Sequence, residues 1–368
     1  MTITSVSNFL ASGMSSGIKP SGAPDLALIA HADGKPVTAA GVFTSNKMTA
    51  APVQICKEFL LETGGQAAAV IINSGNANAA TGERGKEDAR TMASLTAEQI
   101  GCRTQEVLVC STGWIGYPLP IEKIESSIPN AFESLSSEGG LDAAKAIMTT
   151  DTVPKTVEIK KDNFTIGGIA KGAAMLEPNM ATMLAVIATD AEIDSLSATG
   201  MLQDAVSASF NCLTVDGAES TNDTVLLLAS GESGPVDKSA LAEALNEACK
   251  SLAIQMADDA EGSTKTVFLT VTGAATDEEA LKGARDTANC QLVKCSWYGE
   301  DPYWGRIAAE MGAAGIAFDP ETITISYGDQ VVYADGEAQT VDQQLLKEHM
   351  AGRKIKLDVD LGQGSGTA

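Results

Sequence analysis

The sequence predicts an α/β fold, and two observations carry that reading. Short apolar runs of strand length, at residues 26–30, 67–73, 106–110 and 183–188, alternate with helical stretches at 86–100, 140–148 and 238–259. Aromatic residues make up only 4% of the chain while glycine alone numbers 35, a composition suited to closely packed layers of helix and sheet.

Taken in order, residues 17–25 form a loop rich in Gly, Pro, Ser and Asp, followed by strands at 26–30 and 39–44 joined by Asp33-Gly34. The strand at 67–73 runs into Ser74-Gly-Asn-Ala-Asn-Ala-Ala-Thr-Gly82, which offers backbone N–H groups and side-chain amides without charge. That loop reads either as a stack of structural turns or as lining for a small-molecule site. The strand at 106–110 leads to Ser111-Thr-Gly-Trp-Ile-Gly116. A strand ending in Thr-Gly can present a hydroxyl and a backbone N–H at one point, the pair of donors that an acyl-transfer oxyanion needs. Thr149-Thr-Asp-Thr152 follows the helix at 140–148, and a hairpin is predicted from 157–160 and 164–167 with Asp162-Asn163 as its turn.

Residues 167–174 are small and glycine-rich around one cation, Lys171. Glu177-Pro178-Asn179 is turn chemistry. Thr182 then opens the apolar strand at 183–188. A hydroxyl where a turn meets a buried strand is well placed for a nucleophile, although threonine also begins strands for steric reasons alone. A threonine hydroxyl needs a base, and one such base is its own α-amine, freed by cleavage of the preceding peptide bond. The small Ala181 leaves that carbonyl open to attack.

Beyond it, a helix is predicted at 202–210, a polar Ser220-Thr-Asn-Asp-Thr224 segment precedes a strand, and a long helix covers 238–259. Asp258, Asp259 and Glu261 are close enough in sequence to be weighed as a metal site, and set aside because oxygen-ligated cations draw ligands from several places. An alternating strand at 266–272, a polar-aromatic loop Tyr298-Gly-Glu-Asp-Pro-Tyr-Trp-Gly-Arg306, a helix at 343–350 and a last alternating strand at 355–361 complete the chain. Residues 362–368 have no apolar pattern to form another strand.

Composition removes several function classes. The net charge of −23 argues against nucleic acid and anionic membrane surfaces as partners. Seven cysteines without Cys-x-x-Cys spacing suggest reduced thiols in a cytosol and no zinc site. No signal peptide or membrane-length apolar run is visible. The two histidines, His31 and His349, have no motif around them, so a Ser-His-Asp or Cys-His engine is not expected.

Lys-Gly-x-x-Met-Leu-x-Pro-Asn-Met-Ala-Thr-Met-Leu, residues 171–184, resembles the signature of the ornithine acetyltransferase family, glutamate N-acetyltransferases of the cyclic arginine pathway. Independent segments resemble the same family: residues 43–53, the Asn-x-Gly-Asn-Ala-Asn loop at 73–78, Thr112-Gly113, Ser220-Thr-Asn-Asp-Thr224, and Gly299 to Arg306 with Tyr303 where an Asn is usual. The resemblance covers most of the chain in order. Members of the family usually continue past this point with a further strand and a tail carrying an Asn and a Thr or Ser near substrate, so the C-terminus reads as truncated.

The resemblance implies sheets sandwiched between helices, akin in architecture to N-terminal-nucleophile hydrolases. It implies a chain that cuts itself between Ala181 and Thr182 into an α chain, 1–181, and a β chain, 182–368, assembled as a heterotetramer with two of each. Thr182 would take the acetyl group from N-acetyl-L-ornithine, release ornithine, and pass the group to L-glutamate to give N-acetylglutamate. Thr112 and Gly113 would hold the oxyanion, and Thr149, Lys171, Thr182 and Glu261 would bind substrate. No metal or organic cofactor is expected; acetyl-CoA is a candidate co-substrate, and the expected location is cytoplasmic. The open alternatives are a related aminopeptidase or amidase with water as acceptor, and a non-catalytic binding protein of the same fold.

Overall fold

The computed structural model describes residues 2–176 and 183–368. It divides into two compact units, Met1–Glu261 and Gly262–Ala368. The expected cut at 181/182 lies inside the first unit, so it is distinct from the boundary between units.

The first unit opens with β1 (Phe9–Met14), β2 (Leu26–His31) and β3 (Val37–Phe43). Every residue of β2 is buried, as expected for a strand covered on both faces. Helix α1 (Ala51–Thr63) starts with proline in its first turn and stops at Gly64, whose φ of 65° is the left-handed cap that glycine takes most readily. Then come β4 (Gln66–Ala67), β5 (Ala69–Asn76), α2 (Gly82–Ile100), β6 (Val107–Trp114), α3 (Ile121–Glu133) and α4 (Gly140–Ala146). The hairpin of β7 (Lys155–Lys160) and β8 (Thr165–Lys171) leads to β9 (Leu184–Thr189). Helix α5 (Ser195–Ser207) begins where Asp194 accepts the Ser197 amide at 2.8 Å. Strand β10 (Thr224–Ala229) and helix α6 (Lys238–Asp258), capped by Asp237, end the unit.

Two sheets form its centre. The first has the order β1-β2-β5-β6 and the second β4-β3-β10-β9-β8-β7. The period-2 alternation of strand side chains separates two cores. In β9, Leu184, Val186 and Ala188 join a core shared with β2, β5 and β6, whereas Ala185 and Ile187 join a core with α5 and α6. In β10, Leu226 and Leu228 face the first core, and Val225 and Leu227 the second. Helices α2 and α3 pack on the first sheet, and α5 and α6 on the second. The unit is therefore an α/β sandwich with its sheets between helices, as the resemblance implied.

The second unit contains β11 (Thr266–Thr272), α7 (Asp277–Asn289), α8 (Gln291–Tyr298), α9 (Trp304–Ala313), β12 (Thr324–Tyr327), β13 (Gln330–Ala334), β14 (Glu337–Ala338), α10 (Gln343–Ala351) and β15 (Lys354–Asp360). Its sheet has the order β11-β15-β12-β13-β14. The sequence pattern predicts no further strand at 362–368, and among the described residues none follows β15, although the segment is held by backbone hydrogen bonds. Ala368 donates its amide to the Val271 carbonyl at 2.9 Å and accepts the Val271 amide at 2.8 Å, and Gly366 bridges Ala274. Backbone ladders need no apolar pattern, which is why residue types do not reveal this pairing. A correction concerns α5, which runs over 195–207 rather than 202–210 because the Asp194 cap sets its start. Among the described residues no helix is long and apolar enough to cross a membrane, and no disulfide joins the seven cysteines.

Candidate active site

Strands β5 and β6 run parallel, with Asn73 opposite Ser111, Ser74 opposite Thr112 and Gly75 opposite Gly113. Their polar ends are tightly bound together. Ser111 donates to Asn73 Oδ1 at 2.6 Å, Asn73 Nδ2 donates to the Asn76 carbonyl at 2.8 Å, and Asn78 Nδ2 donates to the Gly85 carbonyl at 2.7 Å. Asn222 Nδ2, ahead of β10, donates to the carbonyls of Ala77 and Ser111 at 2.6 and 2.9 Å. The side-chain amides of the asparagine-rich loop are committed to the chain itself, and what they build is a rigid seat for Thr112 and Gly113.

Gly113 has φ of 132°. A Cβ there would lie 2.3 Å from the Gly75 carbonyl carbon and 2.6 Å from the Asn76 nitrogen. Only glycine fits, on both counts. Thr112 is buried, and its Oγ1 accepts a hydrogen bond from Lys171 Nζ at 3.2 Å. With a cation donating to its oxygen, the hydroxyl hydrogen remains for an acceptor such as a developing oxyanion.

Lys171 ends β8 and is itself buried. Burial pushes its ammonium below the ordinary lysine range, and Asp151 acts against that shift. Asp151 Oδ1 accepts the Gly172 amide at 2.7 Å and Lys155 Nζ at 2.6 Å, and its Oδ2 accepts the Thr149 amide at 2.9 Å. Lys155 is completely buried and also pairs with Asp259, which accepts the Thr152 amide at 2.8 Å. Two residues beyond Asp259, Glu261 donates its amide to the Ala173 carbonyl at 2.7 Å, and its side chain is exposed.

The structure thus connects Thr112 directly to Lys171, ties Thr149 to Gly172 through Asp151, and ties Glu261 to Ala173. Ala181 and Thr182 lie outside the described residues. On their near sides, Asp216 accepts the Leu176 amide at 3.0 Å, and Asp223 Oδ1 accepts the Met183 amide at 3.0 Å. Burial raises the Asp223 carboxyl well above the usual range, and among the described residues its Oδ2 has no hydrogen-bond partner.

Sequence reasoning misses Asp151, Lys155, Asp259 and Asp223 as members of the site. Asp151 and Asp223 lie inside segments singled out for other residues. The Lys155–Asp259 pair spans 104 positions and leaves no local signal. In the sequence Asp259 stands out only as a candidate metal ligand. Its carboxylate holds Lys155 and Thr152, and among the described residues no group of three or more His, Cys, Asp or Glu is arranged for a metal. His31 lies by a cavity of about 280 Å³ that contains none of the candidate residues, its Nδ1 2.7 Å from Asp33 Oδ1. His349 Nε2 accepts the Lys356 amide at 3.0 Å. Tyr303 packs its ring against the Arg306 guanidinium at 5.6 Å.

The model of the family described as the ArgJ family matches residues 10–368. A relative from Mycolicibacterium paratuberculosis, named arginine biosynthesis bifunctional protein ArgJ, is 45% identical over 375 residues that cover 100% of this chain and 91% of its own. One of the same name from Streptomyces coelicolor is 42% identical over 369 residues, covering 100% and 95%. Among solved structures, ornithine acetyltransferase complexed with ornithine, from Mycobacterium tuberculosis, is 42% identical over 48% of this chain and 94% of that one, with a TM-score of 0.46.

Proposed function

The chain belongs to the ArgJ family, and on that premise we propose that it is an acyltransferase of arginine biosynthesis that moves an acetyl group from N-acetyl-L-ornithine to L-glutamate through Thr182. The observation that carries the reading at the level of residues is the pairing of Lys171 Nζ with Thr112 Oγ1 beside Gly113, because it gathers a cation, a buried hydroxyl and a glycine turn at one point.

The chain first cuts itself. The Thr182 hydroxyl attacks the Ala181 carbonyl carbon, the Ala181–Thr182 C–N bond breaks, and the nitrogen takes up a proton. Water then hydrolyses the resulting ester. The new α-amine, with a reference pKa of ~7.7–8.0, is a base suited to neutral pH. In each turnover the amine takes the Thr182 hydroxyl proton as Oγ attacks the acetyl carbonyl of the donor. The Thr112 hydroxyl and the Gly113 N–H stabilise the oxyanion. Ornithine leaves with the proton. The glutamate amine then attacks the acetyl-threonine ester and regenerates the enzyme. Lys171 meets the substrate carboxylate, Glu261 the cationic end of ornithine, and Thr149 supplies a further polar contact.

The second sheet supports a cut that leaves one body. Its order places β3, from the first fragment, beside β10, and β9 beside β8. Fragments 1–181 and 182–368 are thus interleaved at two strand interfaces. We further propose that two copies of each fragment form the working assembly, that the protein is cytoplasmic, and that no metal or organic cofactor takes part. Acetyl-CoA is proposed as a second donor, which the word bifunctional in the relatives' names supports.

The test is ornithine release from N-acetylornithine with and without glutamate. Release that glutamate accelerates, with N-acetylglutamate formed in equal amount, is expected. Release at one rate regardless of glutamate would make the protein an amidase.

A further inference from the structure

We propose that Asp151 is a positioning residue for the reaction: its two carboxylate oxygens fix the Thr149 and Gly172 amides, and its charge faces the Lys171 ammonium. The proposal rests on the reading of Lys171 as the group that meets the substrate carboxylate.

Three segments that carry substrate-binding residues converge on this one side chain. Oδ2 accepts the Thr149 amide at 2.9 Å, and Oδ1 accepts the Gly172 amide at 2.7 Å, one residue beyond Lys171. Lys155 Nζ, 2.6 Å from Oδ1, carries the connection to Asp259, two residues before Glu261. The side chains of Asp151 and Lys155 are both 0% exposed. So complete a burial of an ion pair is costly unless its remaining hydrogen-bonding positions are filled. Here the Thr149 and Gly172 amides fill those of Asp151, and the Asp259 carboxylate takes a further hydrogen bond from Lys155.

The charges around Lys171 give Asp151 a second task. Asp151 and Asp223 face Lys171 with opposite charge, Lys155 and Lys19 with like charge, and Thr112 with a neutral hydroxyl. The two carboxyls are shifted in opposite directions. Burial pushes the Asp223 carboxyl well above the ordinary range. Burial acts on Asp151 in the same direction, but the Lys171 and Lys155 charges together with the hydrogen bonds from Lys155 and Thr149 outweigh it, so its carboxyl is held below the ordinary value. Asp151 is therefore the anion that keeps a buried lysine, crowded by two others, protonated and able to bind a carboxylate.

The experiment is the pH dependence of KM for N-acetylornithine, measured on the processed enzyme. The wild type should show an alkaline limb, where Lys171 loses its proton and KM rises. Asp151→Asn should move that limb down by about one pH unit or more, so that KM is raised about tenfold at a pH where the wild type is still flat and approaches the wild-type value in acid. Lys19→Met removes a like charge and should move the limb upward. Asp151→Glu keeps the charge but displaces the two amides, so KM should rise with the limb in place. An Asp151→Asn limb that stays put, with KM raised equally at every pH, overturns the proposal. If that variant does not fold, the Glu variant decides, because a limb that moves although the charge is kept overturns it equally. Lys171→Met separates the premise from the proposal. It should raise KM about 10- to 100-fold and abolish the limb. Unchanged KM in that variant refutes the reading of Lys171 itself, whereas raised KM with an immobile Asp151→Asn limb refutes only the role of Asp151.

Discussion

Lys171 Nζ donates to Thr112 Oγ1 across 3.2 Å, both groups being buried. The contact joins the end of β8 to the end of β6 and leaves the Thr112 hydroxyl hydrogen as the donor at the site. Thr112→Val keeps the shape and removes that hydrogen. It should lower kcat by about 10²–10³ with little change in KM, since an oxyanion donor acts mainly in the transition state. A variant with kcat within about twofold of wild type removes Thr112 from the oxyanion hole.

Gly113 stands where neither space nor backbone admits a side chain, with Gly75 and Asn76 backbone atoms 2.3 and 2.6 Å from any Cβ. Gly113→Ala must part β5 from β6. Overpacking of this kind costs about 1–3 kcal/mol, and the left-handed φ adds strain. Denaturant unfolding should show a loss of at least that size together with lost turnover. Native stability with normal activity would mean that the strand ends move apart freely.

Acid should weaken the Asp151–Lys155–Asp259 network. Burial opposes ionisation of both carboxyls, yet Lys171, Lys155 and the Thr152 hydrogen bonds hold them below the ordinary 3.8. Carboxyls depressed in the folded state contribute stability that is present above their unfolded value and lost as pH falls through the folded one. Unfolding free energy should therefore decline below about pH 4, and the decline should be shallower in Asp259→Asn. An equal slope in the two proteins would show that Asp259 is not depressed.

Interleaved strands should hold the two fragments together after the cut. In the second sheet β8 pairs with β9 from Lys171↔Leu184 to Ile166↔Thr189, and β3 pairs with β10. The fragments should co-elute on gel filtration without denaturant and separate only when denatured. Fragments that part in native buffer would contradict this pairing across the cut.

Much of the fold is legible in residue types, whereas the roles in the candidate site come from the family resemblance. The continuous apolar runs of β5, β6 and β9 identify buried strands, because a strand covered on both faces needs no polar alternation. Thr112-Gly113 and Lys171 stand out in the sequence without their contact being visible there. What escapes has physical reasons. Strand β1, Phe-Leu-Ala-Ser-Gly-Met, carries Gly13 where a Cβ would lie 2.0 Å from the Asp142 carbonyl oxygen, a demand for closeness that weakens the strand signal. Helix α3 contains Pro129, which reads as a helix breaker despite the helical spacing of Ile124, Ile128 and Ala131. The ion network joins Asp151 and Lys155 to Asp259 more than a hundred residues away, and such pairs exist only once the fold brings them together.

A covalent acetyl-threonine is the centre of the proposed mechanism, and mass spectrometry of the processed enzyme mixed with N-acetylornithine alone tests it most directly. The expected result is a mass increase of one acetyl group on the fragment that begins at Thr182, localised to that residue and cleared on adding glutamate. An unmodified fragment, under conditions where glutamate is still acetylated, would contradict it and indicate direct transfer between the two substrates.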